Sequence, residues 1–456
     1  YPAARRCLSV LRIRVVSSAP TGATMRLARQ VKWKEALVKR LFGIIAAVLI
    51  GAQLVIAQEP LVISPELEAQ MSGLEAETRS IRQLDGESVE RAFPTREETI
   101  AYLQDLFDTQ LPIDEAARYQ HFYVALGLIE PEIDLRAVYL ALLGSQVAGF
   151  YDSDTQVMNV VPLSGEISNA LPLMEQIIYV HEYTHALQDQ FFGLDRLLES
   201  EAVADHPDRS LATISLVEGD ASTVMTAYTQ QVLSRSPMAA LQLLGEGLLA
   251  GNLMIPEGTP TILTRELLFP YEGGQVFVIS LYEQGGWELI NRAFRNPPVS
   301  TEQIIHPDKY IAGEQPLDVS LLDATSALGE GWAKIWDTRL GEWYLREHLR
   351  TEVGAADALR AAAGWGGDRF QIYHDPAANE LAWMLHLAWD TPEDAREFEA
   401  TYAQFGEERY GADAQDGCWN DAATATCFVV IDQDEAMVIQ APTVEQARAM
   451  LSAQEA

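Results

Sequence analysis

The sequence predicts an α+β protein: a mainly helical body with a short antiparallel strand region, followed by a small C-terminal antiparallel α+β domain. Three observations carry that prediction. Apolar residues recur at helical spacing over most of the first 330 positions. Two strand-like runs flank a turn near Asp154, and beyond about residue 330 the pattern changes to β-β-α-β-β-α.

The 456 residues are 48% hydrophobic and 9% aromatic, enough apolar material for substantial cores. Formal charge is -34, and ten of the 32 Lys and Arg residues stand in positions 1–57 beside a single acidic residue, Glu35. No basic stripe remains for a phosphate backbone to meet, so nucleic acid is not an expected partner. From Met25, Lys32, Lys34, Lys39 and Arg40 lead into an apolar run from Leu41 to Ala57. Residues 1–57 therefore read as an upstream extension, ahead of Met25, and a signal peptide cleaved after Ala57, with the mature chain starting at Gln58. An uncleaved membrane anchor is the competing reading, and only in that case is the membrane a partner. Either way the expected location is extracellular or extracytoplasmic. No cysteine follows the run, which disfavours a lipid anchor.

Residues 58–145 are expected to form a helical N-terminal segment. Leu103, Leu106-Phe107, Leu135, Val138-Tyr139 and Leu142-Leu143 keep helical spacing, and Thr95-Arg96-Glu97-Glu98 is a capping-box start. Val147–Tyr151 and Val157–Val161 read as a strand pair around Asp152-Ser153-Asp154-Thr155. A long helix is expected from about Leu171 to Gln190, then a loop over 194–206. Pro207 opens a second helix, Asp208 to about Leu233. Helices continue through 274–311, broken at Gly285-Gly286. In the C-terminal domain, residues 331–456, strands are expected at Arg369–Tyr373 and Leu381–Trp389 and a helix over 391–406. A hairpin of Cys427–Ile431 with Ala436–Ala441 and a last helix over 443–453 complete it. Cys418 and Cys427, nine positions apart, can close a disulfide in an oxidising compartment.

The helix at 171–190 contains His181-Glu182-Tyr183-Thr184-His185. Residues four apart share a helix face, so both imidazoles can address one ion. Zinc accepts such nitrogen ligands in tetrahedral geometry. Glu182, about 100° round the same turn, can take a proton from a zinc-activated water and pass it to a leaving amine. Ile177, Ile178, Tyr179 and Val180 sink this helix into the core. Two buried, unpaired histidines beside a buried glutamate would cost several kcal/mol, a difficulty that a metal removes.

A third ligand is required. A histidine six residues after His185 would complete one known pattern, but that position is Phe191, and Gln188 stands where that pattern has glycine. The alternative is an acidic residue on a following helix. Glu218, in Leu216-Val217-Glu218-Gly219-Asp220-Ala221, adjoins the face buried through Leu211, Ile214 and Val217. Gly219 weakens that helix by about 1 kcal/mol, which makes sense where another backbone or the metal approaches closely. Asp220 is the fallback ligand.

His-Glu-Tyr-Thr-His-Ala-Leu-Gln-Asp-Gln at 181–190, with Val-Glu-Gly-Asp-Ala at 217–221, resembles the gluzincin clan of metallopeptidases, also called peptidase MA-like. That resemblance implies a zincin-like catalytic domain over 146–330, zinc on His181, His185 and Glu218, and Glu182 as general base. Many gluzincins carry an aspartate four residues after the ligand glutamate to support a zinc histidine; Ser222 stands there, which leaves that support to Asp220 or another group. Tyr271-Glu272-Gly273-Gly274 is similar to the Tyr-x-x-Gly stretch of gluzincin aminopeptidases, whose tyrosine hydrogen-bonds the oxyanion. His306 is the rival donor. The strand around Gly149 is a candidate track for an extended peptide.

The expectation is a secreted zinc metallopeptidase acting on a peptide or protein substrate. Its rivals are a non-catalytic extracytoplasmic binding or scaffold protein that keeps the zincin shell, and a zinc hydrolase of a non-peptide bond.

Overall fold

The computed structural model describes residues 63–455, apart from 146–148, 164, 166–167, 199, 201–202, 204–205 and 250–254. The basic and apolar N-terminal segment and its expected cleavage after Ala57 lie outside the described residues, as do Val147 and Ala148 of the first expected strand.

Four helices open the described chain: α1 (Pro65–Arg82), α2 (Arg96–Gln110), α3 (Ile113–Ala125) and α4 (Leu135–Ser145). Ser64 caps α1, and Thr95 with Glu98 closes the capping box on α2. Between α1 and α2 lies β1 (Glu90–Ala92), a strand too short to show alternation in sequence. It pairs in parallel with β3 (Val157–Asn159), whose other side pairs antiparallel with β2 (Phe150–Asp152). The sheet order β1-β3-β2 leaves β2 at an edge.

The helical body follows. It comprises α5 (Leu173–Phe192), α6 (Leu194–Leu198), α7 (Pro207–Arg235), α8 (Pro237–Leu249) and α9 (Thr261–Arg295). The expected loop after α5 thus contains a short helix. Helix α9 starts earlier than its sequence suggests, and it is interrupted at Gly286 (φ 59°), at the expected break between two helices. Short helices α10 (Thr301–Ile305), α11 (Pro307–Ala312) and α12 (Thr325–Leu328) lead into the last part.

There β4 (Ala333–Thr338), α13 (Gly341–Leu349) and α14 (Ala355–Ala362) precede β5 (Trp365–Asp375), β6 (Glu380–Trp389) and α15 (Pro392–Tyr410). The chain ends on β7 (Cys418–Asn420), β8 (Ala425–Asp432), β9 (Glu435–Ala441) and α16 (Val444–Ser452). All six strands form one antiparallel sheet in the order β4-β5-β6-β9-β8-β7. The β-β-α-β-β-α succession is present, widened by β4 and β7. Cys418 and Cys427, opposite each other on β7 and β8, form a disulfide. The architecture is mixed α and β.

Of the three hydrophobic cores among the described residues, two span several of these parts. One gathers Leu67, Met71, Tyr151, Val180, Leu187, Leu216 and Phe277 from α1, the three-stranded sheet, α5, α7 and α9. The other joins Tyr119 and Phe122 of α3, Leu263 of α9, Trp343 of α13 and Phe370 and Trp383 of the large sheet. Among the described residues, no helix is long and apolar enough to cross a membrane.

Candidate metal centre

Helix α5 is buried continuously from Tyr179 to Gln188. It starts after Pro172, which offers no side-chain cap, and the Glu246 carboxylate of α8 fills that role instead. Leu173 N donates to Glu246 Oε1 at 3.2 Å and Met174 N to Oε2 at 2.7 Å. An anion at a helix N-terminus satisfies free amides and suits the dipole. The helix is thereby fixed in depth and carries three side chains to one place.

His181 Nε2 lies 3.1 Å from Glu218 Oε2 and 3.1 Å from His185 Nε2, and His185 Nε2 lies 3.5 Å from Glu218 Oε2. Metal–nitrogen bonds of about 2.0–2.1 Å at tetrahedral angles put ligand atoms about 3.3–3.4 Å apart. The triangle therefore has the size that a zinc ion needs, and its two-imidazole, one-carboxylate donor set is of the right chemistry. All three residues are buried.

The charges agree with that fit. Burial would raise the Glu218 carboxyl, but the two histidines outweigh it and hold Glu218 down at about 2. Burial would lower His185, but Glu218, Glu182 and the Gln188 contact raise it to about 9. The carboxylate thus requires a positive charge beside it, which either a proton or a metal ion can supply.

Glu182 Oε2 accepts the backbone N–H of Tyr151 at 3.1 Å, which sets the carboxylate against edge strand β2. Burial pushes its carboxyl up, the histidines pull it down, and Glu218 pushes it up further. The Tyr271 ring of α9 stacks on His181 with centroids 6.0 Å apart and planes at 26°. Burial, then the charges of Glu218 and Glu182, raise its phenol well above the ordinary value, so its hydroxyl keeps its proton as a donor.

The structure brings His181, Glu182, His185, Glu218 and Tyr271 together. Among the described residues no contact joins His306 to them: His306 Nε2 sits 3.1 Å from Glu342 Oε1, and that hydrogen bond is the main cause raising its pKa. Asp220, the fallback ligand, is engaged by Arg82 and Gln188. Ser222 Oγ is buried and finds no partner among the described residues, and support for a histidine comes from Gln188, whose Oε1 lies 2.9 Å from His185 Nδ1. The sequence leaves this support to Asp220 or another group without singling out Gln188, although its place three positions after His185 on one helix face is a usable signal. A second acidic group, Glu302, Glu314 and Asp390, is already closed by the Lys309 ammonium, 2.6 Å from Glu302 and 3.0 Å from Glu314.

The family described as Domain of unknown function (DUF8575) matches residues 330–451, which run from β4 into α16 and contain none of the cluster residues. No curated protein and no solved structure matches the chain.

Proposed function

We propose that the chain is a zinc metallopeptidase of gluzincin type, with α5, α7 and β2 as the centre of a zincin-like catalytic fold. The observation that carries this reading is the triangle of His181 Nε2, His185 Nε2 and Glu218 Oε2, with edges of 3.1, 3.1 and 3.5 Å and Glu182 beside it. His181, His185 and Glu218 would hold the ion. Zinc, when bound, supplies a Lewis acid that polarises the scissile carbonyl and makes water more acidic.

Glu182 takes the proton from the attacking water and hands it to the leaving amine. Its hydrogen bond from Tyr151 N keeps the carboxylate facing the ligand triangle. Tyr271, held over His181, donates to the oxyanion that develops on the carbonyl. Strand β2 stands at the edge of its sheet, but its residues are buried and its Tyr151 N–H is taken by Glu182, so the peptide track expected beside Gly149 gains no support from it. The Cys418–Cys427 disulfide supports an extracytoplasmic setting.

Glu182→Gln tests the reading because it preserves shape and removes basicity. In the full chain, zinc content by elemental analysis and the melting temperature should stay near wild type. Cleavage of a mixed peptide library should fall by about 10²–10⁴-fold. A zinc-loaded variant that cleaves at the wild-type rate would sink the mechanism.

A further inference from the structure

Arg82, the last residue of α1, is fully buried. Its Nε lies 3.0 Å from Asp220 Oδ2 and 2.8 Å from Oδ1, and its guanidinium lies over Trp287 at 4.6 Å. Among the described residues, Nη1 and Nη2 find no hydrogen-bond partner. A buried guanidinium with a single carboxylate partner is a poor way to stabilise a helix end, since the same space filled by apolar atoms would avoid the desolvation. Its position makes sense through what Asp220 does next.

Asp220 Oδ2 accepts from Gln188 Nε2 at 2.9 Å, and the same Nε2 donates to Val217 O at 2.9 Å. With two acceptors on that side, the Gln188 amide has one orientation: Nε2 toward Asp220 and Val217, Oε1 toward His185 Nδ1 at 2.9 Å. A carbonyl only accepts, so Nδ1 carries the hydrogen. In the neutral form of His185, the form that ligates a metal, the lone pair is then on Nε2, the atom facing His181 and Glu218. Among the described residues His181 has no such support, since its buried Nδ1 finds no partner there.

Resting on the metallopeptidase reading, we propose that Arg82 is a positioning residue for the metal ligand His185, acting through Asp220 and Gln188. Helix α1 is then a permanent part of the metal centre and not a removable segment. Arg82 fixes the Asp220 carboxylate, Asp220 fixes the Gln188 amide, and Gln188 fixes the tautomer and ring plane of His185. The partners lie 138, 32 and 3 positions apart in sequence.

The test is Arg82→Met in the full chain, with zinc affinity measured by chelator competition and the site geometry read from the visible spectrum of the cobalt(II)-substituted protein. Affinity should fall roughly 10–100-fold, the range for losing such a supporting group, and the cobalt bands should shift. Gln188→Leu should produce a similar loss, and adding Arg82→Met to it should lower affinity no further, because both act on one relay. Wild-type affinity and an unchanged cobalt spectrum in folded Arg82→Met, or additive losses in the double variant, would overturn the proposal. Should Arg82→Met not fold, Gln188→Leu decides alone, since it leaves the Arg82–Asp220 pair in place and wild-type affinity there removes the relay. A wild-type chain that holds no zinc would instead defeat the metallopeptidase reading. A wild type that holds zinc and cleaves peptides, beside a variant of equal affinity, would defeat only the relay.

Discussion

Tyr271 and His306 were alternatives for one job, and the geometry separates them. Tyr271 stacks on His181, while His306 is held by Glu342. Replacing Tyr271 with Phe keeps the ring and removes only the donor. Turnover should fall roughly 10- to 1000-fold, with the loss in kcat and not in KM, while zinc content and melting temperature hold. Steady-state kinetics on one peptide substrate measures this; unchanged kcat returns Tyr271 to a packing role. At this scale sequence was most informative where the chemistry is local. His181, Glu182 and His185 lie within one turn and a half of helix and could be read directly. Glu218 required a judgement about a second helix, made from the apolar face beside it. Arg82 left no trace, because its partner is 138 positions away and nothing near it in the chain signals burial.

At the scale of elements, the crossing of α7 and α9 decides whether Glu218 and Tyr271 meet. A Cβ on Gly219 would lie 2.2 Å from the backbone of Gly274, and a Cβ on Gly274 would lie 2.1 Å from Ser215 O. The two backbones therefore touch, and the close approach anticipated at Gly219 is that of α9. Ala in place of Gly gains about 1 kcal/mol in an unobstructed helix, but overpacking a crossing costs typically 1–3 kcal/mol or more. Gly274→Ala should thus lower the melting temperature and weaken zinc binding, because it separates the helices bearing Glu218 and Tyr271. Gly73→Ala in α1, where the new Cβ meets nothing within 4 Å, should raise the melting temperature. Thermal denaturation of both variants checks this, and equal shifts would mean that the crossing is slack. The long helices α5 and α7 were visible because their apolar spacing repeats over many turns. The strands β1 and β7 have three residues each, too few for alternation to register, and are defined only by their partners. Gly285-Gly286 reads as a break, and the helix is interrupted there: Gly286 is non-helical (φ 59°), while Leu281, Trp287 and Ile290 on its two sides pack into one core.

Over the whole molecule, one buried carboxyl ties distant parts together. Glu266 of α9 accepts from Tyr123 Oη of α3 at 2.6 Å and from Tyr344 Oη of α13 at 2.7 Å. It thus links the N-terminal helices, the helix bearing Tyr271 and the start of the C-terminal part, inside the core those segments share. Burial pushes its pKa up to about 7 from the ordinary 4.5, with the two tyrosine bonds opposing but not cancelling the shift. Below pH 4.5 both folded and unfolded chains hold the proton. Between 4.5 and 7 the unfolded chain loses it while the folded chain keeps it, so the folded state binds more protons and stability falls as pH rises through this window. Above 7 the loss is complete and constant. Glu266→Gln cannot ionise and escapes the decline. Its stability relative to wild type should therefore improve from pH 5 to pH 8, by up to about 3 kcal/mol. Urea denaturation of both proteins at the two pH values, with chelator present to keep metal linkage out of the comparison, measures the difference. An equal difference at pH 5 and pH 8 would mean that Glu266 titrates as an ordinary carboxyl and that the three parts meet at a hydrated site.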